Sequence, residues 1–371
     1  MRIRYGWTVR QSEKIYFYAL FRLRKEQMKK KWVTEISKSY RGGTLSSEEK
    51  AAVKRVWGNI PVDDKWFIMY NSIKREGSSH FDARYLPLNI HYCFIDEWFS
   101  SARKAVTVDD KNMYDLYFHD IRRPKTVFRK IKDRIMDENY KPITLEQAVQ
   151  LCKNQKTVII KPTVVKSGGK GIEFWKEEDG ENTLIDILNM NSSLIVQEVI
   201  GQHPALASLH KESINTVRLM TCFFDGKMEV LSTIVRFGVG ESRVDNAASG
   251  GMFCGVKEDG SLRRYAYNEY CQVFEKQPQG TVFADCKIPN FERCKELVLE
   301  LSNRFVSNFR LISWDLSIAE DGEPVLIEMN LTYGDTHIHQ LANGPLFGDK
   351  TEQVIAQALG NKRFRRYRHL L

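Results

Sequence analysis

Apolar positions along the chain come in short runs. TVIIKP, SLIVQEVI, TVRLMTCFF, KMEVLSTIVRFG, MFCGVKEDGSLRRYAY and LISWDLSIAEDGEPVLIEMN carry the β-branched and aromatic residues that suit strands. Asp225-Gly226, Asp259-Gly260 and Asp321-Gly322 break these runs as tight hairpin turns do. Helical spacing occupies residues 9–32, SSEEKAAVKRVW, DDKNMYDLYFHD, TLEQAVQLCKNQ, NTLIDILNMN and FERCKELVLELSNRF. Ser46/Ser47 and Thr144 stand where amino-terminal caps are needed, with glutamates in the turns that follow. RRPKTVFRKIKD reads as extended, and GIEFW as the second arm of a hairpin begun by TVIIKP. Antiparallel strands with few helices predict an α+β fold.

Charge changes the picture at the two ends. Of a net charge of +9, residues 1–32 hold ten Lys/Arg against two Glu, and the closing NKRFRRYRHLL adds five more basic residues, so the middle is near neutral. Basic ends suit an anionic partner or simple solubility. Residues 15–23 (IYFYALFRL) have two readings: a helix lying on an anionic bilayer, or one packed on the core with its charges solvated. Nucleic acid is not expected, since no aromatic-basic RNA signature or helix-turn-helix pattern accompanies the charge. No apolar stretch approaches the roughly 20 residues of a membrane-spanning helix. No apolar segment with a cleavage site follows MRIRYGWTVRQSEK, so no signal peptide is expected. Seven cysteines without a C-x-x-C pair point away from zinc and disulfide frameworks and toward the cytoplasm, with membrane-peripheral placement left open.

Candidate chemistry sits in two places. After TVIIKP, with Lys161 before its proline, the chain loosens into Ser167-Gly168-Gly169-Lys170-Gly171. Backbone N–H groups of such a turn can converge on a phosphate, with the strand lysine adding charge. Lys170 is followed by Gly171, which is not the P-loop pattern, and neither a Rossmann nor a kinase signature is present. Alone, the stretch reads equally well as a hairpin tip with a solvated lysine. The second place is the last hairpin. Glu328 and Asn330 share one strand face, and Asp315 lies far enough before the turn to stand opposite them. Three oxygen donors among apolar neighbours suit Mg²⁺, which combines carboxylates with substrate phosphates. The alternative is a pair of exposed strand carboxylates.

A lysine and glycine loop followed, over a hundred residues later, by D…E-x-N resembles the ATP-grasp superfamily. DDKNMYDLYF, TVIIKPTVVKSGGKGI, LIVQEVIGQHPALASLHKESINTVRLMT, ASGGMFCGVKEDG and WDLSIAEDGEPVLIEMN, in that order, look closest to its sugar-transfer-associated members, over about residues 84–347. The resemblance implies an ATP-grasp fold of two α+β subdomains with a basic helical extension at 1–60. A preceding region at 61–108, an ATP-grasp domain at 109–345 (lid about 109–190, metal-binding part 191–345) and a basic tail at 346–371 complete the division.

It also implies roles. Lys111 and Lys161 match the nucleotide lysines, and Ser167, Gly168, Gly169 and Gly171 the phosphate loop. Gln197, Glu198, Val199 and Ile200 match the adenine hinge, and Asp315, Glu328 and Asn330 the magnesium ligands. Arg218 matches the arginine near the transferring phosphate, with Asn215 on the same strand end. No acidic ribose ligand follows the hinge; His203 and His210 stand near that place instead. Each residue has a plainer reading: Lys111 as a helix-surface lysine, Arg218 as a strand residue paired with a glutamate such as Glu229. His337 and His339 are expected as loop residues near the acceptor, and Asp245-Asn246 with Ser249-Gly250-Gly251 as a loop closing over substrate. The implied activity uses ATP and Mg²⁺ to join a small-molecule or sugar-linked carboxylate to an amine through an acyl phosphate, in polysaccharide biosynthesis. The alternatives are a phosphotransferase and a non-catalytic nucleotide-binding protein.

Overall fold

Helix dominates the first hundred residues. The structure, a computed structural model, describes residues 2–34, 37, 42–163, 171–190, 192–247, 250–367 and 369. It opens with α1 (Arg2–Thr34), α2 (Ser47–Trp57) and α3 (Asp64–Ser72). A helical stretch at 88–99 follows, π-helical over His91–Ile95. The expected cap of α2 is a full capping box: Glu49 N–H donates to Ser46 Oγ at 3.1 Å, and Glu49 Oε2 accepts from Ser46 N–H at 2.7 Å. One face of α1 enters the core through Phe21, Arg24 and Met28, while Ile15 and Leu23 stay 69% and 64% exposed. Among the described residues no helix is long and apolar enough to cross a membrane.

A five-stranded antiparallel sheet comes next, formed by β1 (Thr126–Ile131), β2 (Arg134–Asp137), β3 (Thr157–Pro162), β4 (Glu173–Lys176) and β5 (Ser193–Glu198), in the order β2-β1-β5-β3-β4. Its buried face, with Phe128, Ile160, Trp175 and Val196, packs against α4 (Leu145–Gln155) and α5 (Glu181–Asn189). The predicted hairpin of TVIIKP and GIEFW is present as β3 and β4. The division expected at 190/191 is corrected: β5 is the central strand of this first sheet, because its Val158↔Glu198 and Phe128↔Val196 pairings bind it on both sides.

The second sheet has seven antiparallel strands: β6 (Thr216–Phe224), β7 (Lys227–Phe237), β8 (Met252–Val256), β9 (Leu262–Asn268), β10 (Val273–Phe274), β11 (Leu311–Ile318) and β12 (Pro324–Asn330). The order is β10-β9-β8-β7-β6-β11-β12, with turns at the three Asp-Gly pairs. One face is covered by the amphipathic helix α6 (Phe291–Phe305). The other meets the amino-terminal helices together with α7 (Thr336–Asn343), α8 (Thr351–Leu359) and α9 (Lys362–Tyr367). Residues 351–367 are therefore no tail: Phe364 and Tyr367 pack their rings on Phe94 and Phe21, 4.9 and 5.1 Å between centroids.

Candidate nucleotide site between the two sheets

The site is built by strand register. Val217 and Leu219 of β6 join the core under α6, so Thr216 and Arg218 face the opposite way. Arg218 pairs across the sheet with Asp315, and Asp315 with Glu328; Ser313 pairs with Asn330, and Thr216 with Arg236. Directly paired residues share a face. Arg218, Arg236, Asp315, Glu328 and Asn330 therefore form one polar patch. Further along the same face, Met220 and Cys222 enter the apolar core.

Asp315 is the anchor of the patch. Arg218 Nε and Nη2 donate to its two oxygens at 2.6 and 2.7 Å, and Arg236 Nη2 adds a third bond at 3.1 Å. Burial works against the carboxylate, but Arg218 and Arg236 overcome it and hold its pKa down to about 2. Arg218 Nη1 reaches on to Asp335, in the loop after β12. Arg236 also donates to Thr216 Oγ1 at 2.8 Å and lies 3.6 Å from Asp245, which accepts the Thr216 N–H at 3.1 Å. Arg236 and Asp335 had no place in the sequence reading. Their only signal was a lone charge in, or just beyond, an apolar strand.

Two lysines arrive from the other sheet's side. DDKNMYDLYFHD is not one helix: Asp110 caps a 3-10 turn at Lys111–Met113, a short α-helical turn follows at Tyr114–Tyr117, and Lys111 N–H donates to Thr163 O at 3.0 Å. That turn is pinned to the edge of the large sheet, where Tyr114 Oη donates to Met329 O at 3.2 Å and accepts from Met329 N–H at 3.1 Å. Lys111 Nζ then donates to Glu328 Oε1 at 2.6 Å. Burial opposes the Lys111 charge, and Glu328 more than offsets it, raising the pKa. Lys161, on β3, donates to Gln197 Oε1 at 3.2 Å on neighbouring β5. Burial, reinforced by the nearby Lys111 charge, lowers its pKa to about 8, with Glu328 opposing. Two ammonium groups thus meet at Glu328, with Asp109 as a second carboxylate near Lys111.

The surroundings are short of hydrogen-bond partners. Asp109 Oδ1, both Asn112 amide atoms and Thr163 Oγ1 are buried without one. Burial lifts Asp109 to about 6, moderated by Lys111. Orphaned buried polar atoms concentrated beside two lysines are what a polar ligand would complete.

The donors fit a hard cation in kind. Two carboxylates and an amide on adjacent rungs match the few protein oxygens Mg²⁺ takes beside phosphates and water. Asp315 has four acceptor positions and three are used, while Glu328 is held by one lysine. Among the described residues no three His, Cys, Asp or Glu side chains converge.

The remaining residues are placed as follows. Ser167, Gly168 and Gly169 lie outside the described residues. Gly171 has φ +82°, and a Cβ there would stand 3.1 Å from Pro162 Cγ, so the hairpin needs glycine at that point. Gln197 bridges Lys161 and Pro124 O, and Glu198 accepts the Lys125 N–H at 2.9 Å. Val199 is 40% exposed and Ile200 half-buried. Asn215 is fully buried and its amide donates to Leu206 O and His210 O, both at 2.7 Å. His203 caps a short helix through Ala205 N–H, and His210 is bonded to Ser213 and Gly240. His337 and His339, expected in a loop, lie buried on α7 and point apart, toward Tyr70 and Ser232. The amphipathic stretch THIHQLAN winds into a helix because Ile338, Leu341 and Ala342 seat it on the core. Arg218 pairs with Asp315 and Asp335, while Glu229 goes to Lys350.

Comparison with known proteins gives a family. No curated protein matches the chain in sequence. Among solved structures, D-alanyl-alanine synthetase A from Vibrio cholerae is 13% identical, with 72% of this chain and 66% of that one covered and a TM-score of 0.40. The biotin carboxylase domain of Hydrogenobacter thermophilus 2-oxoglutarate carboxylase is 13% identical over 68% and 46%, TM-score 0.40. D-alanine–D-alanine ligase from Bacillus anthracis is 15% identical over 69% of both chains, TM-score 0.37. The chain thus spans between about half and just under two thirds of the first two of these structures. The family profile of sugar-transfer associated ATP-grasp proteins matches residues 95–356, and the chain belongs to that family.

Proposed function

We propose that the protein is an ATP-dependent carboxylate–amine ligase that works through an acyl phosphate. The observation that carries this reading is that Lys111 bonds Glu328 on the rungs that hold Arg218, Asp315 and Asn330, with Lys161 on the facing strand close enough to feel the charges of Lys111 and Glu328. The triphosphate lies between them, its charge met by the two lysines, with adenine at residues 197–200. Asp315, Glu328 and Asn330 would hold Mg²⁺, which neutralises phosphate charge when bound. An oxygen of the acceptor carboxylate attacks the γ-phosphorus, ADP departs, and Arg218 faces the transferring group. An amine nitrogen then attacks the acyl carbon, phosphate leaves, and the nitrogen gives up its proton. Asn215 acts by holding the strand end that carries Arg218.

The substrate pair is an amino acid or other amine with a sugar-linked carboxylate, or an acid with an amino sugar, in polysaccharide assembly. The family's sugar-transfer association supports that class. The exposed Ile15 and Leu23 on a basic helix support peripheral contact with an anionic membrane from the cytoplasm, tested by liposome sedimentation of the full chain with and without anionic lipid. The ligase reading is tested by incubating purified protein, ATP and Mg²⁺ with candidate acids and amines. ADP and free phosphate should appear only when both are present. A phosphorylated product without free phosphate would identify a phosphotransferase instead.

A further inference from the structure

The helix α1 lies wholly before the residues matched by the family, yet it sends one arginine deep into the molecule. Arg24 is 0% exposed, although it is one of ten basic residues in a largely solvated segment. A buried guanidinium needs partners. Asp96 and Glu97 lie 3.7 and 3.8 Å away, and Tyr92 O accepts from Nη1. That set would be enough to seat a helix. Arg24 goes further. Its Nε donates to Tyr333 Oη at 2.9 Å, and the guanidinium stands 4.8 Å from the centre of the Tyr333 ring.

Tyr333 begins the turn that leads out of the candidate site. It stacks on Tyr92 at 5.2 Å, its hydroxyl donates to Gln27 Oε1 at 3.1 Å, and its N–H points at Asp96 Oδ2 at 3.5 Å. Two residues on, Asp335 is paired with Arg218. Tyr333 and Asp335 both have left-handed backbone, φ +55° and +58°. Each such residue costs about 1 to 2 kcal/mol, so the turn does not hold itself and its surroundings must over-determine it. Between them Gly334 presses on β11: a Cβ there would fall 2.4 Å from Ser313 Oγ, which donates to Gly334 O at 3.1 Å. The turn is gripped by β11 and Arg218 on one side, and by Arg24, Gln27, Tyr92 and Asp96 on the other.

We infer that Arg24 is a positioning residue of the site: it fixes the turn 333–335 from behind and, through Asp335, sets the orientation of Arg218. The amino-terminal helix is then a working part of the catalytic unit and not an appendage to it. The role of Arg218 at phosphate rests on the proposed function; the mechanical link from Arg24 to the turn does not.

The test uses the full chain with Arg24→Met, Arg24→Lys and Tyr333→Phe. Three quantities are measured: Mg·ATP affinity, ADP formation at saturating Mg·ATP with an acid and amine pair that the wild type turns over, and hydrogen exchange at 331–336 against 311–318. The expected result is exchange at 331–336 faster by about tenfold or more in Arg24→Met and Tyr333→Phe, with 311–318 unchanged. ADP formation falls about ten- to a hundredfold while affinity moves less than about threefold, and Arg24→Lys recovers part of the loss. If both variants keep wild-type exchange at 331–336 and wild-type ADP formation, the inference is overturned. It is also overturned if Arg24→Met loosens 311–318 equally while Tyr333→Phe changes nothing, since Arg24 would then only stabilise the fold. If the wild type neither binds nor turns over Mg·ATP, the proposed function fails, and the exchange comparison still decides on Arg24.

Discussion

Raising the pH should strip the charge from Lys161 and weaken nucleotide binding. Burial and Lys111 hold its pKa at about 8 in the free protein, against an ordinary lysine value of 10.5. A phosphate beside it favours the ammonium form and restores the pKa to at least the ordinary range. Binding then takes up a proton above about pH 8, and affinity falls as pH rises. At pH 9.5 about one free-state Lys161 in thirty is protonated, so the dissociation constant should grow about thirtyfold from its pH 7 value, or about 2 kcal/mol. The triphosphate itself is fully ionised across the upper part of that range. The assay is titration of the protein with a non-hydrolysable Mg·ATP analogue at half-unit steps from pH 7 to 9.5, with Lys161→Gln alongside. Lys161→Gln should bind more weakly at pH 7 and show little slope. A flat wild-type profile, or an equal slope in both proteins, would refute the assignment of Lys161 to the phosphates.

Without nucleotide the same lysine is a burden on the fold: its depressed pKa makes the free protein gain stability as pH rises from about 8 toward 10.5. Lys161→Met should therefore raise stability at pH 7 by about 2 to 3 kcal/mol, measured by denaturant melts, while losing affinity. Asp315→Ala should cost about 3 to 5 kcal/mol, because it leaves Arg218 and Arg236 facing each other without their carboxylate. The Asp315 contribution is complete above its ordinary value of 3.8 and fades as pH falls toward about 2, so Asp315→Asn should flatten the acid limb of thermal melts. Arg218→Lys removes the fork on Asp315 and should lower turnover about a hundred- to a thousandfold in steady-state assays of ADP release, with little change in nucleotide affinity.

How far the site could be read from the chain depends on how local each contact is. The last hairpin was legible because its Asp321-Gly322 turn limits the register, and Asp315 does stand opposite Glu328. The engagement of Asp315 by Arg218 and Arg236 was not, since β6 is brought beside β11, and β7 one strand beyond it, only by the assembled sheet. A buried strand such as SLIVQEVI looks alike in either sheet, so the placement of β5 had to come from its pairings. The periodicity of residues 9–32 announced a helix, but nothing distinguished Arg24 from its neighbouring basic residues. Burial in this case is a property of what α1 packs against, and that surface includes the distant Tyr92 and Tyr333. His337 and His339 misled for the opposite reason: two histidines in a row of mixed polarity fit a loop as well as a helix seated on the core.

The most direct measurement is a crystal structure of the full chain with Mg²⁺ and a non-hydrolysable ATP analogue. The account predicts adenine against residues 197–200, phosphates within hydrogen-bond reach of Lys111 and Lys161, and the cation on oxygens of Asp315, Glu328 and Asn330. A nucleotide bound elsewhere, or an Asp315 carboxylate held by Arg218 and Arg236 alone with no cation beside it or Glu328, would contradict it.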